Sequence, residues 1–255
     1  MKNTILKQKL QNRELTIGSW ITLGHPAIPE ILAPAGFEWL VVDIEHTTID
    51  LSMVQVLIST IQAQGLAALV RVSKNEEVVI KRVLDAGADG IVVPMVSTVE
   101  DAKNAVAFAK YPPEGKRGVG LARAQQYGIG FELYKKWVKD NLIVIVQIEH
   151  ITAINNLNEI LKVKGIDGTI VGPYDLSGSL GIPGQYDQPI VMEALNKFKQ
   201  ICKDNNISMG FHVVDPVEKK VKEKIEEGYN FLAFSTDFLF MGIKANTEML
   251  NLRKT

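Results

Sequence analysis

One cysteine in 255 residues, Cys202, excludes an intramolecular disulfide and a cysteine-built zinc site. No apolar run approaches the roughly 20 residues that a membrane-spanning helix needs. The opening stretch, Met1-Lys2-Asn3-Thr4-Ile5-Leu6-Lys7, is too polar for the core of a secretory signal. Charge of one sign is also lacking: Lys and Arg number 28 against 29 Asp and Glu, a formal net charge of −1. Such a balance gives no field to steer nucleic acid or an anionic membrane. No low-complexity linker divides the chain, so a single domain over residues 1–255 is expected. These absences together describe a soluble cytoplasmic protein with neither nucleic acid nor a membrane as partner.

What is present is a rhythm. Apolar, β-rich runs recur at residues 16–22, 39–43, 67–72, 90–93, 142–149, 168–171, 207–212 and 231–235. Most are continuous rather than alternating, as in parallel strands covered on both faces. Amphipathic segments intervene, among them 29–35, 53–64, 77–86, 99–109, 152–163 and 216–227. Gly36, Gly65, Gly87, Gly165 and Gly228 stand as C-cap signals before the next strand. Eight βα units at this length predict a TIM (β/α)8 barrel. The rival is an open doubly wound sheet, which more often carries a glycine-rich phosphate loop after its first strand. Only Leu23-Gly24-His25-Pro26 follows Thr22. Two stretches break the pattern. Residues 111–130 form a long, turn-rich excursion, and long loops at a barrel rim often carry function. Residues 238–252 are apolar on one side and are expected to pack on their own barrel or on a neighbour's.

Barrel active sites lie at the carboxyl ends of the strands. The second strand ends in Asp43-Ile44-Glu45-His46, the third in Arg71, the fourth in Pro94-Met95 and the fifth in Gln147-Ile148-Glu149-His150. The sixth ends in Gly172-Pro173-Tyr174-Asp175, the seventh in His212 and the eighth in Ser235. No lysine stands at such an end; Lys74 comes later, in a loop. That argues against a Schiff-base mechanism, which needs a desolvated lysine in the barrel mouth. Glu149 and Asp175 end two runs joined by one helix-length segment, a strand–helix–strand unit that brings both carboxylates to one edge. Converging carboxylates repel unless one is protonated or a cation lies between them, and hard divalent cations suit oxygen donors. Each residue also has a plainer reading. Glu149 and Asp175 serve equally as helix N-caps, Arg71 as a structural partner of Asp43 or Glu45, and His46 as a loop histidine. His25, His150 and His212 are read as structural.

Several motifs together resemble the HpcH/HpaI aldolase family. They are Gly36-Phe37-Glu38-Trp39 through Asp43-Ile44-Glu45-His46, Leu84-Asp85-Ala86-Gly87-Ala88, Pro94-Met95-Val96, Tyr111-Pro112-Pro113 with Arg117-Gly118, Gln147-Ile148-Glu149, and Gly172-Pro173 with Asp175-Leu176-Ser177. The resemblance runs in order over nearly the whole chain. It implies a TIM-barrel, class II, metal-dependent aldolase that cleaves and forms 2-oxo-4-hydroxy acids through a pyruvate enolate on the metal. The substrates implied are of the 4-hydroxy-2-oxoheptanedioate or 2-keto-3-deoxy sugar acid type. It also implies Mg²⁺, Mn²⁺ or Co²⁺ as cofactor, and a homohexamer, a trimer of dimers, that exchanges C-terminal helices between subunits.

By position, the resemblance makes Glu149 and Asp175 the metal ligands, with Gln147 contacting the oxo acid or the metal's waters. It makes His46 the acid/base group and Arg71 the stabiliser of the enolate oxygen. Backbone at Tyr174 and Asp175 would hold the substrate carboxylate. An aspartate at the Asp85 position is implied to raise the basicity of the histidine. Asp85 precedes the fourth strand, at the far end of its own barrel, so it would act across a subunit boundary. Asp43 is the nearer candidate to orient His46, and both stand. Tyr174 departs from an expected small residue and His150 from an expected threonine. These departures bear on the aldehyde preference. The alternatives are a citrate-lyase-β-like lyase of CoA thioesters and a non-catalytic barrel that binds oxo acids.

Overall fold

The structure, a computed structural model, describes residues 5–254; most of the polar opening stretch lies outside them. Eight parallel strands close a barrel in sequence order. They are β1 (Thr16–Ile21), β2 (Trp39–Asp43), β3 (Ala67–Arg71), β4 (Gly90–Val93), β5 (Ile143–Ile148), β6 (Gly168–Val171), β7 (Ser208–Val213) and β8 (Phe231–Thr236). The helices are α1 (Ile5–Asn12), α2 (Ala27–Leu32), α3 (Leu51–Ala63), α4 (Glu77–Asp85), α5 (Val99–Ala109), α6 (Phe131–Asn141), α7 (Ile151–Ile160), α8 (Pro173–Ser179), α9 (Pro189–Asp204), α10 (Glu218–Glu226) and α11 (Asp237–Leu252). The TIM barrel expected from the repeat is therefore the fold. Among the described residues no helix is long and apolar enough to cross a membrane.

Continuous apolar strands are what a barrel with two covered faces requires. One set of side chains faces the helices: Leu40, Val42, Ala68, Val70, Val144 and Val146 pack there with the helix residues. The alternate set fills the barrel: Trp39, Val41, Leu69, Val92, Ile143, Ile145, Ile170, Phe231 and Ala233. Trp39 stacks on Phe231 at 4.2 Å between ring centroids. It lies where a Cβ on Gly18 would come within 2.1 Å of its ring, so only glycine leaves room for that indole.

Three helices have no counterpart among the segments read from sequence. Helix α1 precedes the first repeat, and its Leu6 and Leu10 join the barrel's inner core. Lys7 Nζ ties it down by donating to the Leu142 carbonyl at 2.6 Å. Helix α6 follows the long excursion, and α9 fills the connection between β6 and β7.

Candidate active site

Side chains alternate across a strand, so the set that fills the barrel continues upward into its mouth. Asp43 follows Val41, Arg71 follows Leu69, Gln147 follows Ile145, and His212 stands on β7 beside Ala233 of β8. Register adds to this: Asp43 and Arg71 are direct neighbours across β2 and β3.

Glu149 lies just past β5 and is buried. Its Oε1 accepts the Met95 backbone N–H at 2.7 Å, and its Oε2 accepts from Gln147 Nε2. Met95 adopts a positive φ of 54° to aim that N–H, a left-handed conformation that costs a non-glycine residue free energy and that clusters at functional sites. Asp175 stands in the first turn of α8, which Gly172 caps with no side-chain hydrogen bond. The cap of α7 is His150, whose Nδ1 accepts the Thr152 N–H at 3.1 Å. Neither carboxylate is therefore an N-cap. A Cβ at Gly172 would stand 3.2 Å from Glu149 Oε2 and 3.6 Å from Asp175 Oδ2, so the two groups converge over a glycine. Burial raises the Glu149 carboxyl above the ordinary range against its two hydrogen bonds, and the Asp175 charge pushes the same way as burial.

Arg71 is clamped. Its Nε and Nη2 donate to Asp43 Oδ1 and Oδ2 at 2.9 and 2.7 Å, and its guanidinium carbon lies 4.5 Å from the centre of the Trp20 ring. Nη1 is left without a partner among the described residues. Asp43 also accepts the Glu45 N–H at 3.0 Å. Glu45 Oε2 lies 3.3 Å from Arg71 Nε and 3.6 Å from His46 Nε2. Its carboxyl is raised by burial, while Arg71 pulls it down. The His46 side chain is 70% exposed. No hydrogen bond or ion pair joins it to Asp43 or Asp85, and its acidic neighbour is Glu45.

Asp85 ends α4 at the opposite end of the barrel, where Arg117 Nη2 donates to its Oδ1 at 2.6 Å. Tyr174 is 59% exposed, with its ring 3.4 Å from where a Cβ on Gly184 would stand. The site thus gathers Asp43, Arg71, Gln147, Glu149, Asp175 and His46 at one end of the barrel and leaves Asp85 at the other. Sequence reasoning passed over Trp20, named Glu45 only as a structural partner of Arg71, which it does approach, and read His212 as structural, although all three share the inward parity of their strands.

A divalent cation fits the Glu149–Asp175 pair. Glu149 Oε2 and Asp175 Oδ2 face one small space, and the Gln147 Oε1 atom is buried without a hydrogen-bond donor. All these donors are hard oxygens, suited to Mg²⁺ or Mn²⁺. No group of three or more His, Cys, Asp or Glu side chains placed to hold a metal occurs among the described residues. A cation here would keep positions for water or for a chelating substrate. A surface cavity of about 780 Å³ lies elsewhere, lined by α1, α3, α6 and the residues before α6, and none of these groups lines it.

The HpcH/HpaI aldolase/citrate lyase family profile matches residues 16–241. A 2-dehydro-3,6-dideoxy-6-sulfogluconate aldolase of Pseudomonas putida is 35% identical over 96% of this chain and 95% of its own. A 5-keto-4-deoxy-D-glucarate aldolase of Salmonella paratyphi C is 35% identical over 98% of both chains. The crystal structure of an HpcH/HpaI aldolase/citrate lyase family protein from Burkholderia cenocepacia superposes with a TM-score of 0.92 at 31% identity, over 99% of this chain and 100% of that one.

Proposed function

The chain belongs to the HpcH/HpaI aldolase/citrate lyase family, and on that footing we propose the reaction that its site performs. The protein is a carbon–carbon lyase, a class II pyruvate aldolase. Its substrate is a 2-oxo-4-hydroxy acid of the keto-deoxy sugar acid type, cleaved reversibly to pyruvate and an aldehyde in the cytoplasm. The observation that carries this reading is the convergence of Glu149 and Asp175 over Gly172, beside an arginine held in a fixed plane.

Glu149 and Asp175 would hold the divalent cation, Mg²⁺, Mn²⁺ or Co²⁺, and Gln147 would contact the oxo acid through its Oε1, which has no donor in the chain. When bound, the cation supplies Lewis-acid polarisation of the substrate's keto group. The backbone N–H groups of Tyr174 and Asp175 take the substrate carboxylate. His46 removes the C4 hydroxyl proton, with Glu45 Oε2 3.6 Å from its Nε2. The C3–C4 pair then moves onto the pyruvate fragment as C4 becomes the aldehyde carbonyl. Arg71 Nη1 meets the charge that grows on the enolate oxygen, and Asp43 keeps the guanidinium from turning away. A proton returned to C3 completes pyruvate.

Tyr174 borders the aldehyde side and narrows it. Asp85 acts on a neighbour's histidine: Arg117 holds one of its oxygens and the second is unengaged among the described residues. A homohexamer with exchanged α11 helices fits the apolar surface that α11 leaves uncovered in one chain.

A retro-aldol panel coupled to lactate dehydrogenase tests the reading. Pyruvate release from at least one hydroxylated 2-oxo acid, abolished by EDTA and restored by Mg²⁺, Mn²⁺ or Co²⁺, is expected. Turnover of CoA thioesters alone would contradict it.

A further inference from the structure

The mouth of the barrel holds one group that the reaction above does not use. His212 stands on β7 in the inward set, with its ring 5.4 Å from that of Trp20. Trp20 in turn lies under Arg71, so the three side chains form one wall. One imidazole nitrogen is engaged with the Ser235 backbone. Nε2 is buried and has no hydrogen-bond partner. Ser235 holds a positive φ of 53°, so the strand end that fixes this ring is itself in a conformation that the surroundings must enforce.

The tautomer follows. A ring nitrogen facing a backbone carbonyl carries the proton, and the other is then a bare acceptor. Burial, with the Arg71 charge beside it, outweighs the Ser235 hydrogen bond and lowers the imidazole to about 4, so the ring is neutral in ordinary buffers. Asp43, the facing carboxylate, acts in the opposite sense and does not overcome these effects. A buried acceptor with no donor is costly, and a donor from a ligand removes that penalty.

We propose that His212 is a specificity-determining residue whose Nε2 accepts a hydrogen bond from a hydroxyl on the aldehyde half of the substrate, on the carbon next to C4. The assignment rests on the aldolase reading. Its chemistry is selective, because the pyruvate half offers a carboxylate and a keto oxygen, which are acceptors and cannot satisfy Nε2. Every hydroxyl donor of a keto-deoxy sugar acid lies at C4 or beyond, and the C4 hydroxyl gives its proton to His46. The adjoining ring carries the complementary orphan, since Trp20 Nε1 is a buried donor with no acceptor. A hydroxyl can both donate to one and accept from the other.

The test uses the metal-loaded protein in the condensation direction, with pyruvate and either glycolaldehyde or propionaldehyde, which differ by a hydroxyl in place of a methyl. The wild type should prefer glycolaldehyde in kcat/KM. His212→Leu should lower that preference by about tenfold to a hundredfold, the range for one lost hydrogen bond at a discriminating site. His212→Gln, which keeps an acceptor at similar reach, should restore part of it. Exchange of the pyruvate C3 protons in heavy water should stay within a few-fold of wild type in both variants. An unchanged ratio, or an equal fall for both aldehydes, would overturn the assignment and leave His212 facing a water or serving structure alone. Loss of proton exchange in the wild type would overturn the aldolase reading itself, and this assignment with it.

Discussion

Arg71 shows how a residue can be structural and catalytic at once. Two of its nitrogens are spent on Asp43 and one remains for substrate. Removing a fixed charge from a developing oxyanion costs roughly 10²–10³ in rate, so Arg71→Ala should be nearly inactive. Arg71→Lys should also be poor, because a lysine cannot hold the fork and present a third donor. Steady-state kcat beside calorimetric metal affinity checks this, and affinity should change little. Glu149 makes a second case. Its folded carboxyl is raised, so near and above the ordinary carboxylate range the folded state binds more protons than the unfolded chain, and metal-free stability falls as pH rises through that range. A cation competes with that proton. Mn²⁺ at about a hundred times its Kd should stabilise the protein by roughly 2.7 kcal/mol, several degrees of Tm, and the shift should shrink as pH falls through the raised range. Glu149→Gln should abolish the shift without unfolding the protein. Thermal melts with and without Mn²⁺ across pH read both effects. Most of these residues were legible because each ends an apolar run. His212 and Glu45 were visible as positions but not as roles. The role of His212 depends on the backbone of Ser235, far along the chain, and that of Glu45 on the plane in which Asp43 holds Arg71.

The elements were easier to read than their ends. The runs at Trp39–Asp43, Gly90–Val93 and Gly168–Val171 have the bounds expected from composition, because both faces are covered and every residue in them is buried. Helices α1 and α9 escaped because one precedes the repeat and the other occupies a connection whose start, rich in glycine and proline, reads as loop. The turn after β4 carries information that no pattern shows, since Met95 must take a left-handed backbone to serve Glu149. A β-branched residue resists that conformation, so Met95→Val should destabilise the protein by about 1–2 kcal/mol and weaken metal binding. Met95→Gly, which keeps the N–H and suits positive φ, should leave metal binding intact. Urea unfolding and metal titration of the two variants distinguish the backbone's contribution from the side chain's.

At the scale of the whole molecule, α11 stands out. Only Asp237 of this helix is buried. That carboxylate accepts the backbone N–H groups of Thr22 and Leu23 at 2.9 and 2.8 Å, so the helix is pinned at its start, while Met241, Met249, Leu250 and Leu252 face solvent in the single chain. Apolar surface of this kind marks an interface. Met249→Glu combined with Leu250→Glu should break the proposed homohexamer into smaller species by sedimentation, with the barrel's circular dichroism unchanged; an unaltered sedimentation coefficient would assign α11 no part in assembly. The sequence displayed this stripe but not its partner, because amphipathic periodicity does not say which chain covers it. The central claim concerns the two carboxylates over Gly172, and the exchange of pyruvate C3 protons with heavy water, followed by proton NMR, tests it most directly because no aldehyde need be known. Exchange should be rapid in the Mn²⁺-loaded wild type, absent after EDTA, restored by added Mn²⁺, and absent in folded Asp175→Asn under the same conditions. Undiminished exchange in the EDTA-treated protein, or in Asp175→Asn, would contradict the account.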